Sequence, residues 1–377
     1  MKCATLLLFF GATASTATAQ GALSTGGLGY PPGQTSARSE GAGGSLADFD
    51  PLSLVSPAAI AGVGASALYF QYSPEFRRVT VGPNTAKTTT ARFPLVSGVM
   101  PIGQHWTAAL SSSTFLDRSY ETSVVRREAV GTLTDSTDVT EENKVLGAIN
   151  DVRLALGWAR SATFRFGVGG HVFAGSNRVT ISEVFPDSSK FLGSTQNARI
   201  SYAGFAASVG LEYHPSTTLA FAVAGRKGGD LRAETADTLI GTGRIPDHYS
   251  ASVSYTGISG ATLALRAAHD SWSSLSSLSS TGIQAFDGWD MSGGAEVTGP
   301  RLLQRVIFVR AGARHRTLPF GFNGQKVSET SFMAGLGAPL ARDRASIDIN
   351  FQHAARSADA SVKETGYIFS FGLRVTP

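Results

Sequence analysis

The stretch from Ala345 to Gln352 reads Ala-Ser-Ile-Asp-Ile-Asn-Phe-Gln, and it decides the fold. Its odd positions are apolar and its even positions are polar. Successive side chains of a β-strand point to opposite faces, so this stretch would form a strand with one apolar and one polar face. A helix would mix the two kinds of residue around its circumference. The stretch therefore predicts a strand that lies between an apolar and a polar environment.

The same alternation recurs along the chain and predicts fourteen strands. It is clearest in residues 151–158, 164–169, 249–255 and 367–375, and poorest in 305–316. The predicted strands are 65–80, 87–101, 105–130, 145–160, 162–185, 196–213, 218–235, 245–257, 261–272, 285–298, 303–318, 327–340, 343–356 and 362–375. Single-chain bacterial barrels have an even number of such strands, with lipid on the apolar face. The sequence thus predicts an all-β fold, an antiparallel transmembrane β-barrel of about 14 strands.

Connections between these strands alternate in length. Short ones with turn-forming residues include 101–104, 159–162 and 214–217, whereas longer polar ones include 131–144 and 273–281. In outer-membrane barrels the periplasmic turns are short and the extracellular loops are longer. This sorting predicts an outer-membrane barrel with the short turns in the periplasm.

The N-terminus predicts export. Met1-Lys2 precedes an apolar and small-residue run, Ala4 to Ala14, and an A-x-A site ends at Ala19, which together indicate a signal peptide over residues 1–19. The single cysteine, Cys3, would leave with this peptide, so neither disulfides nor thiolate chemistry is expected in the mature chain. No later run of about 18 apolar residues predicts a membrane helix.

The composition excludes some partners and fits an all-β protein. Charged residues make up 16% of the chain, against about 25% in ordinary soluble proteins. The net charge of +4 is small and the basic residues are scattered, so no nucleic-acid partner is expected. Glycine is abundant, with 43 residues.

Residues 20–64 are rich in glycine, serine and proline and alternate little. One interpretation is a disordered periplasmic leader. However, exposing a large apolar side chain to water forfeits about 1.5–3 kcal/mol, and this segment carries several. We therefore expect a hatch, or plug, in the lumen of a barrel formed by residues 65–377. The predicted hatch residues are Asp48, Phe49, Asp50, Leu52, Leu54, Ser56 and Pro57.

Residue spacing predicts no catalytic, cofactor or metal site. The seven histidines lack H-E-x-x-H or paired-ligand spacing. The glycine clusters lie within predicted strands, where no helix N-terminus follows to bind a phosphate, and lumen-facing glycine would leave room for a plug. The candidate lumen-facing ionisable residues are Arg153, Arg165, Asp348 and Arg374. They could line a pathway or, as we favour, form salt bridges in a packed lumen.

The segment Ser36-Ala37-Arg38 … Gly41-Ala42-Gly43-Gly44 … Leu46-Ala47-Asp48 … Ser56-Pro57-Ala58-Ala59-Ile60 resembles the N-terminal region of FadL-type outer-membrane transporters for hydrophobic compounds. It also resembles related fourteen-stranded barrels such as the PorV-like secretion components. In these families a similar segment forms a hatch that plugs the barrel from the periplasm. Ser56 departs from the pattern, because the families usually have asparagine there.

The resemblance implies a passive diffusion channel for hydrophobic compounds, such as long-chain fatty acids, without covalent chemistry or a cofactor. The implied location is the outer membrane of a Gram-negative-type bacterium. The implied partners are outer-membrane lipid and lipopolysaccharide, the hydrophobic substrate and the barrel-assembly machinery. The alternative is a structural, scaffolding barrel that binds partner proteins through its loops. A continuous apolar path from loops to lumen would favour transport, whereas a solid lumen would favour scaffolding.

Overall fold

The computed structural model describes residues 18–20, 23–24, 27–81, 84–129, 136–187, 190–278, 285–302, 305–322, 324–341, 344–358 and 362–377. The predicted signal peptide therefore lies almost wholly outside the described residues. An α-helix, α1 (Ala37–Gly41), and two 3-10 helices, Ala59–Gly62 and Trp272–Leu278, interrupt an otherwise all-β chain. Among the described residues, no helix is both long enough and apolar enough to cross a membrane.

The described residues form seventeen strands, which belong to one sheet. They are β1 (Thr18–Gln20), β2 (Ala67–Val81), β3 (Asn84–Ile102), β4 (Trp106–Asp117), β5 (Tyr120–Ala129), β6 (Ser136–Ala159), β7 (Phe164–Val184), β8 (Ser194–Tyr213), β9 (Leu219–Thr235), β10 (Thr238–Arg244), β11 (His248–Ile258), β12 (Ala261–Asp270), β13 (Gly288–Leu302), β14 (Arg305–Phe322), β15 (Gln325–Leu340), β16 (Ala345–Ser357) and β17 (Val362–Val375).

These strands close into a barrel. Neighbours pair antiparallel in chain order, and β17 pairs with β2. β4 and β5 both pair with β6, and β10 and β11 both pair with β9, so each couple forms one interrupted barrel strand. β1 lies outside the ring and pairs with β5. The barrel therefore has fourteen strands, which confirms the predicted fold class.

The alternation in β16 separates the two faces of the wall. Ile349 and Phe351 point outward and are 41% and 38% exposed, whereas Asn350 between them is buried against the lumen. The outward position continues across the ladder, because Ile349 pairs with Leu336 of β15 and Phe371 of β17. The alternation of apolar and polar residues in the sequence therefore gives the barrel an apolar outer face and a polar inner face.

Aromatic side chains border the apolar outer surface at both ends. The turn side, defined by the connections 103–105, 160–163, 214–218 and 259–260, carries Trp106, Phe164, Tyr213 and Tyr255. The opposite end, the loop side, carries Phe76, Tyr249, Trp289 and Tyr367. Leucine, valine and phenylalanine fill much of the outer surface between them. An apolar band flanked by aromatic girdles is the surface of a transmembrane barrel of the bacterial outer membrane.

Ile349→Arg is expected to destabilise the folded barrel by about 2–4 kcal/mol, because it places a guanidinium against hydrocarbon. Ser357→Arg is the matched control, since it lies on the same outward face of β16 but at the exposed loop-side end. Urea titrations of refolding into lipid vesicles measure both. Equal losses for the two variants would contradict the assignment of Ile349 to the bilayer.

One predicted loop is shorter in the structure than expected, and another is partly helical. Residues 136–144, predicted to be loop, belong to β6, which is 24 residues long and pairs with β5 and β7. Residues 131–135 lie outside the described residues. Residues 273–278 form most of a 3-10 helix. About 9–11 residues of strand suffice to cross the bilayer, so the long hairpins extend beyond it, where both faces meet water and the apolar alternation is lost.

An epitope inserted after Pro186, in the connection between β7 and β8, is expected to be labelled on intact cells. One inserted after Ser216, in the short connection between β8 and β9, is expected to be hidden until the outer membrane is opened. Both sites lie outside strands, so both variants should fold. Antibody binding to intact and to permeabilised cells measures which of the two epitopes is exposed at the cell surface. The reverse labelling pattern would overturn the orientation.

Candidate functional site

The N-terminal segment, residues 27–66, runs through the interior of the barrel. On the loop side, Tyr30 and Asp117 of β4 exchange two backbone hydrogen bonds of 2.8 Å. In the middle, α1 packs against β14 to β17, and the Oγ of Ser36 caps it by accepting from the N–H of Ser39 at 3.2 Å. On the turn side, the segment continues into β2 at Ala67.

Glycines in the barrel wall let this segment come close. A Cβ atom at Gly167 of β7 would lie 2.2 Å from the carbonyl oxygen of Pro57. One at Gly312 of β14 would lie 2.3 Å from the carbonyl carbon of Ala42. Both distances are too short for any side chain, so the backbones approach directly only because glycine occupies these positions.

The predicted hatch residues lie inside the barrel. Asp48, Asp50, Leu52, Leu54, Ser56 and Pro57 are buried, and Phe49 is half-buried. Leu52 and Leu54 form an apolar cluster with Tyr69 of β2 and Leu95 of β3. Ser56, which stands in place of the family's asparagine, accepts a hydrogen bond from the N–H of Ala58 at 3.3 Å.

The two hatch carboxylates have different partners. Asp48 reaches the wall, where it accepts hydrogen bonds from the Oγ of Ser250 at 2.8 Å and the Nε of Arg266 at 3.0 Å. Asp50 stays within the segment and accepts from the Oγ of Ser53 at 2.9 Å. Asp48 therefore attaches the segment to the barrel, whereas Asp50 holds the local turn together.

The four candidate lumen-facing residues all point inward: Arg153, Arg165, Asp348 and Arg374. Two are paired: Asp348 accepts from the Nη1 of Arg310 at 2.6 Å, and the Nη1 of Arg165 donates to Glu212 at 2.8 Å. Arg153 is buried, and its Nε and Nη1 have no hydrogen-bond partner in the described part of the chain. The structure thus does not bring the four together into one site.

A hydrogen-bonded chain joins the segment to the wall near its middle. The Nε2 of Gln34 donates to Asp151 at 2.7 Å, Asp151 lies 2.9 Å from the Nδ1 of His171, and the Nε2 of His171 lies 2.8 Å from the Oγ of Ser208. The order Asp-His-Ser resembles a hydrolytic triad. However, these groups are buried, and the strand ladder that holds them pairs their backbones, so an oxyanion hole is not formed by them.

A large apolar cluster fills the loop side of the lumen. This loop-side cluster comprises Leu28, Phe115, Leu116, Ile149, Phe173, Tyr202, Leu231, Ala233, Ile245, Trp272, Leu275 and Leu278. The 3-10 helix Trp272–Leu278 covers it, and the ring of Trp272 stacks on Phe115 with centroids 5.3 Å apart. This part of the lumen is therefore apolar, unlike the polar interior of a barrel that conducts water.

A cleft continues from the loop-side cluster towards the N-terminal segment. Its cavity volume is about 80 Å³, and it shares Phe115 and Trp272 with the cluster. Residues 31–35 line its opposite side. Its remaining lining is rich in arginine and includes Arg226, Arg266, Arg314 and Arg316. The loop-side cluster therefore borders a polar cleft beside the segment.

The docking of α1 is expected to depend on pH. Burial raises the pKa of Glu40 from 4.5 to about 7, although Gln71, Ser370, Arg314 and Asn350 face it and lower that pKa. A raised pKa means that the stabilisation is complete below pH 4.5 and is lost as the pH rises through about 7. Hydrogen exchange of α1 should be slower at pH 5 than at pH 8.5 after correction for intrinsic rates. Glu40→Gln should remove the difference, and an unchanged dependence would contradict this assignment.

The sequence analysis missed the loop-side cluster and the chain from Gln34 to Ser208. One signal was present: Phe173 has the same phase as Arg165 and His171, so it is an apolar residue at a lumen-facing position. The hydrogen-bonded chain had no such signal, because its members come from separate strands whose register the local sequence does not show.

No family model and no curated protein matches the sequence. Among solved structures, a Pseudomonas aeruginosa FadL homologue is similar, with a TM-score of 0.64 and 12% identity over 92% of this chain and 99% of that one. The P. putida toluene transporter TodX gives 0.56 and 12% over 92% and 97%, and the Ralstonia pickettii toluene transporter TbuX gives 0.53 and 14% over 92% and 99%. The chain therefore has the fold of the FadL-type barrels, a closed antiparallel barrel of fourteen strands.

Proposed function

We propose that the protein is a passive transporter of hydrophobic compounds across the outer membrane. The observation that carries this proposal is the loop-side cluster, which makes one part of the lumen apolar and continues into the cleft beside the N-terminal segment. A channel for hydrophilic solutes has no use for such a lining. A hydrophobic molecule that enters from the loops gains free energy by leaving water at this surface.

The similar structures support the same class of substrate. Two of them are described as toluene transporters and a third as a FadL homologue. Aromatic hydrocarbons and long-chain fatty acids are both hydrophobic, and either fits the apolar lining of the loop-side cluster. The substrate class proposed here is therefore a hydrophobic small molecule.

We further propose that residues 20–64 act as the hatch of a barrel formed by residues 65–377. The buried leucines of the segment and the contacts of Asp48 with the wall support this division. Transport then requires the hatch to shift, because the segment lies across the lumen below the cleft. The hatch binds no cofactor in this proposal and performs no covalent chemistry.

A scaffolding barrel is the second candidate. The observation that favours it is the dense network of buried ion pairs in the lumen, such as those of Arg356 with Glu75, Glu329 and Glu364. In that case the long hairpins would bind partner proteins and no molecule would pass.

Uptake by intact cells decides between the two candidates. A Gram-negative host without channels of this type is given radiolabelled toluene or oleate, because hydrophobic compounds cross plain phospholipid vesicles unaided. Expression of the protein should raise uptake, and Phe173→Gln, in the loop-side cluster, should lower it again. Phe93→Gln is the matched control, since Phe93 is 74% exposed on the outer surface. Uptake no higher than in cells without the protein would overturn transport.

A further inference from the structure

The phenol of Tyr30 is bound as a ligand would be. Its hydroxyl accepts hydrogen bonds from the Nη2 of Arg316 at 2.6 Å and the Nη2 of Arg356 at 2.8 Å. It donates one to Glu329 at 3.0 Å. All three partners are buried, so the hydroxyl completes groups that water cannot reach.

Four guanidinium groups surround the ring of Tyr30. Their Cζ atoms lie 4.3 Å (Arg356), 5.2 Å (Arg316), 5.3 Å (Arg92) and 5.7 Å (Arg77) from its centroid. Cations over an aromatic face attract it, and the attraction is stronger where water is excluded. The site therefore recognises both parts of a phenol, its ring and its hydroxyl.

The barrel wall builds this site without help from Tyr30. Arg316 pairs with Glu329 at 2.7 Å, Arg356 pairs with Glu364 at 2.5 Å, and Arg92 pairs with Asp117 at 2.5 Å. Arg77 pairs with Glu75 at 2.7 Å, so each of the four arginines has a carboxylate partner. The four arginines on the wall side thus have carboxylate partners that do not depend on Tyr30.

Tyr30 belongs to the N-terminal segment rather than to the barrel wall, and two backbone hydrogen bonds with Asp117 hold it against β4. It lies between Gly29 and Gly33, whose φ angles of +125° and +106° favour glycine, and it precedes two prolines. Its ring also contacts a small apolar cluster of Leu23, Leu318, Phe320, Val327 and Val362 on the loop side. A small apolar cluster near the barrel mouth thus borders the polar site that Tyr30 occupies.

We propose that the chain's own Tyr30 fills a binding site for phenolic monoaromatic compounds, and that such a compound takes its place when the hatch withdraws. This inference rests on the proposed transport function and narrows its substrate class. Toluene would leave Arg316, Arg356 and Glu329 without their hydroxyl partner, which costs free energy in a buried site. A benzoate has no O–H to donate to Glu329, and it would add a negative charge to a site whose four arginines already have four carboxylate partners.

The test measures ligand binding to purified full-length Tyr30→Ala by calorimetric titration in detergent. Phenol should bind at least tenfold more tightly than toluene and than benzoate. Tyr202→Ala is the matched control, because Tyr202 is also buried and hydrogen-bonded to an arginine, Arg118. Among the described residues, that arginine alone lies over the ring of Tyr202. Phenol should bind this control at least tenfold more weakly than it binds Tyr30→Ala.

Equal affinity of Tyr30→Ala for phenol and toluene, or equal affinity of the two variants for phenol, would overturn the inference. If Tyr30→Ala does not refold alone, refolding in the presence of phenol becomes the measurement. Recovery with phenol but not with toluene supports the site, and recovery with neither overturns it. The proposed function is tested separately by uptake into cells. Uptake of toluene without phenol binding would leave transport standing and remove only the Tyr30 site.

Discussion

Deletion of residues 24–60 is expected to turn a closed barrel into one that leaks small hydrophilic solutes. The sheet closes through β2 and β17 without any contribution from the deleted residues, so the barrel should still assemble. The deletion removes α1, Asp48 and the apolar residues that pack across the lumen. It leaves inward-facing charges such as Arg266 and Glu296, which attract water rather than exclude it.

Liposome swelling in isotonic sugar measures the leak, with full-length protein in matched amounts as the control. Heat-modifiable migration on gels shows whether the shortened barrel has folded. Equal swelling rates of the two proteins would show that residues 24–60 do not close the lumen. Failure of the shortened chain to fold would instead make this segment part of the core that the barrel needs.

Arg356→Met is expected to lower the free energy of unfolding by about 3–5 kcal/mol, the usual cost of breaking a buried ion pair from one side. Arg356 is 2% exposed and lies within 2.8 Å of Glu75, Glu329 and Glu364. Without Arg356, the three buried carboxylates lose one of the cations that neutralise them. Urea titration in lipid vesicles measures the loss.

Arg126→Met is the control for this change. Arg126 pairs with Glu183 at 2.8 Å, but its side chain is 46% exposed at the loop side, so the pair is screened by water. Its loss should cost about 0–1 kcal/mol. If both variants lose the same amount, the ion pairs of Arg356 contribute no more than a surface pair, and the lumen is wetter than its burial indicates.

The faces of the wall could be predicted from the sequence because the strand period is local. Ile349 and Asn350 are neighbours, and their opposite environments follow from chain geometry alone. β14 alternates poorly for a reason that the structure shows: its outward positions include Ala311, Ala313 and His315. Small and polar residues at outward positions weaken the alternation of apolar and polar residues in the sequence, although the strand still forms.

The site could be predicted only in part. The apolar residues of the N-terminal segment predicted that it is buried, because a large apolar side chain favours burial at any place in the chain. The chain of Asp151, His171 and Ser208 spans three strands, and its geometry depends on the register across β6, β7 and β8. That register is set by closure of the whole sheet, which no short stretch of sequence contains.

The connection between the N-terminal segment and the barrel limits how far the segment could move. Four residues, 63–66, join the 3-10 helix Ala59–Gly62 to the first residue of β2. Fully extended, four residues span at most about 14 Å. The turn-side end of the N-terminal segment therefore stays close to its binding position in the barrel, where the short connection gives it a high effective concentration. Reclosure is then a first-order event, and its rate is independent of how many copies the membrane holds.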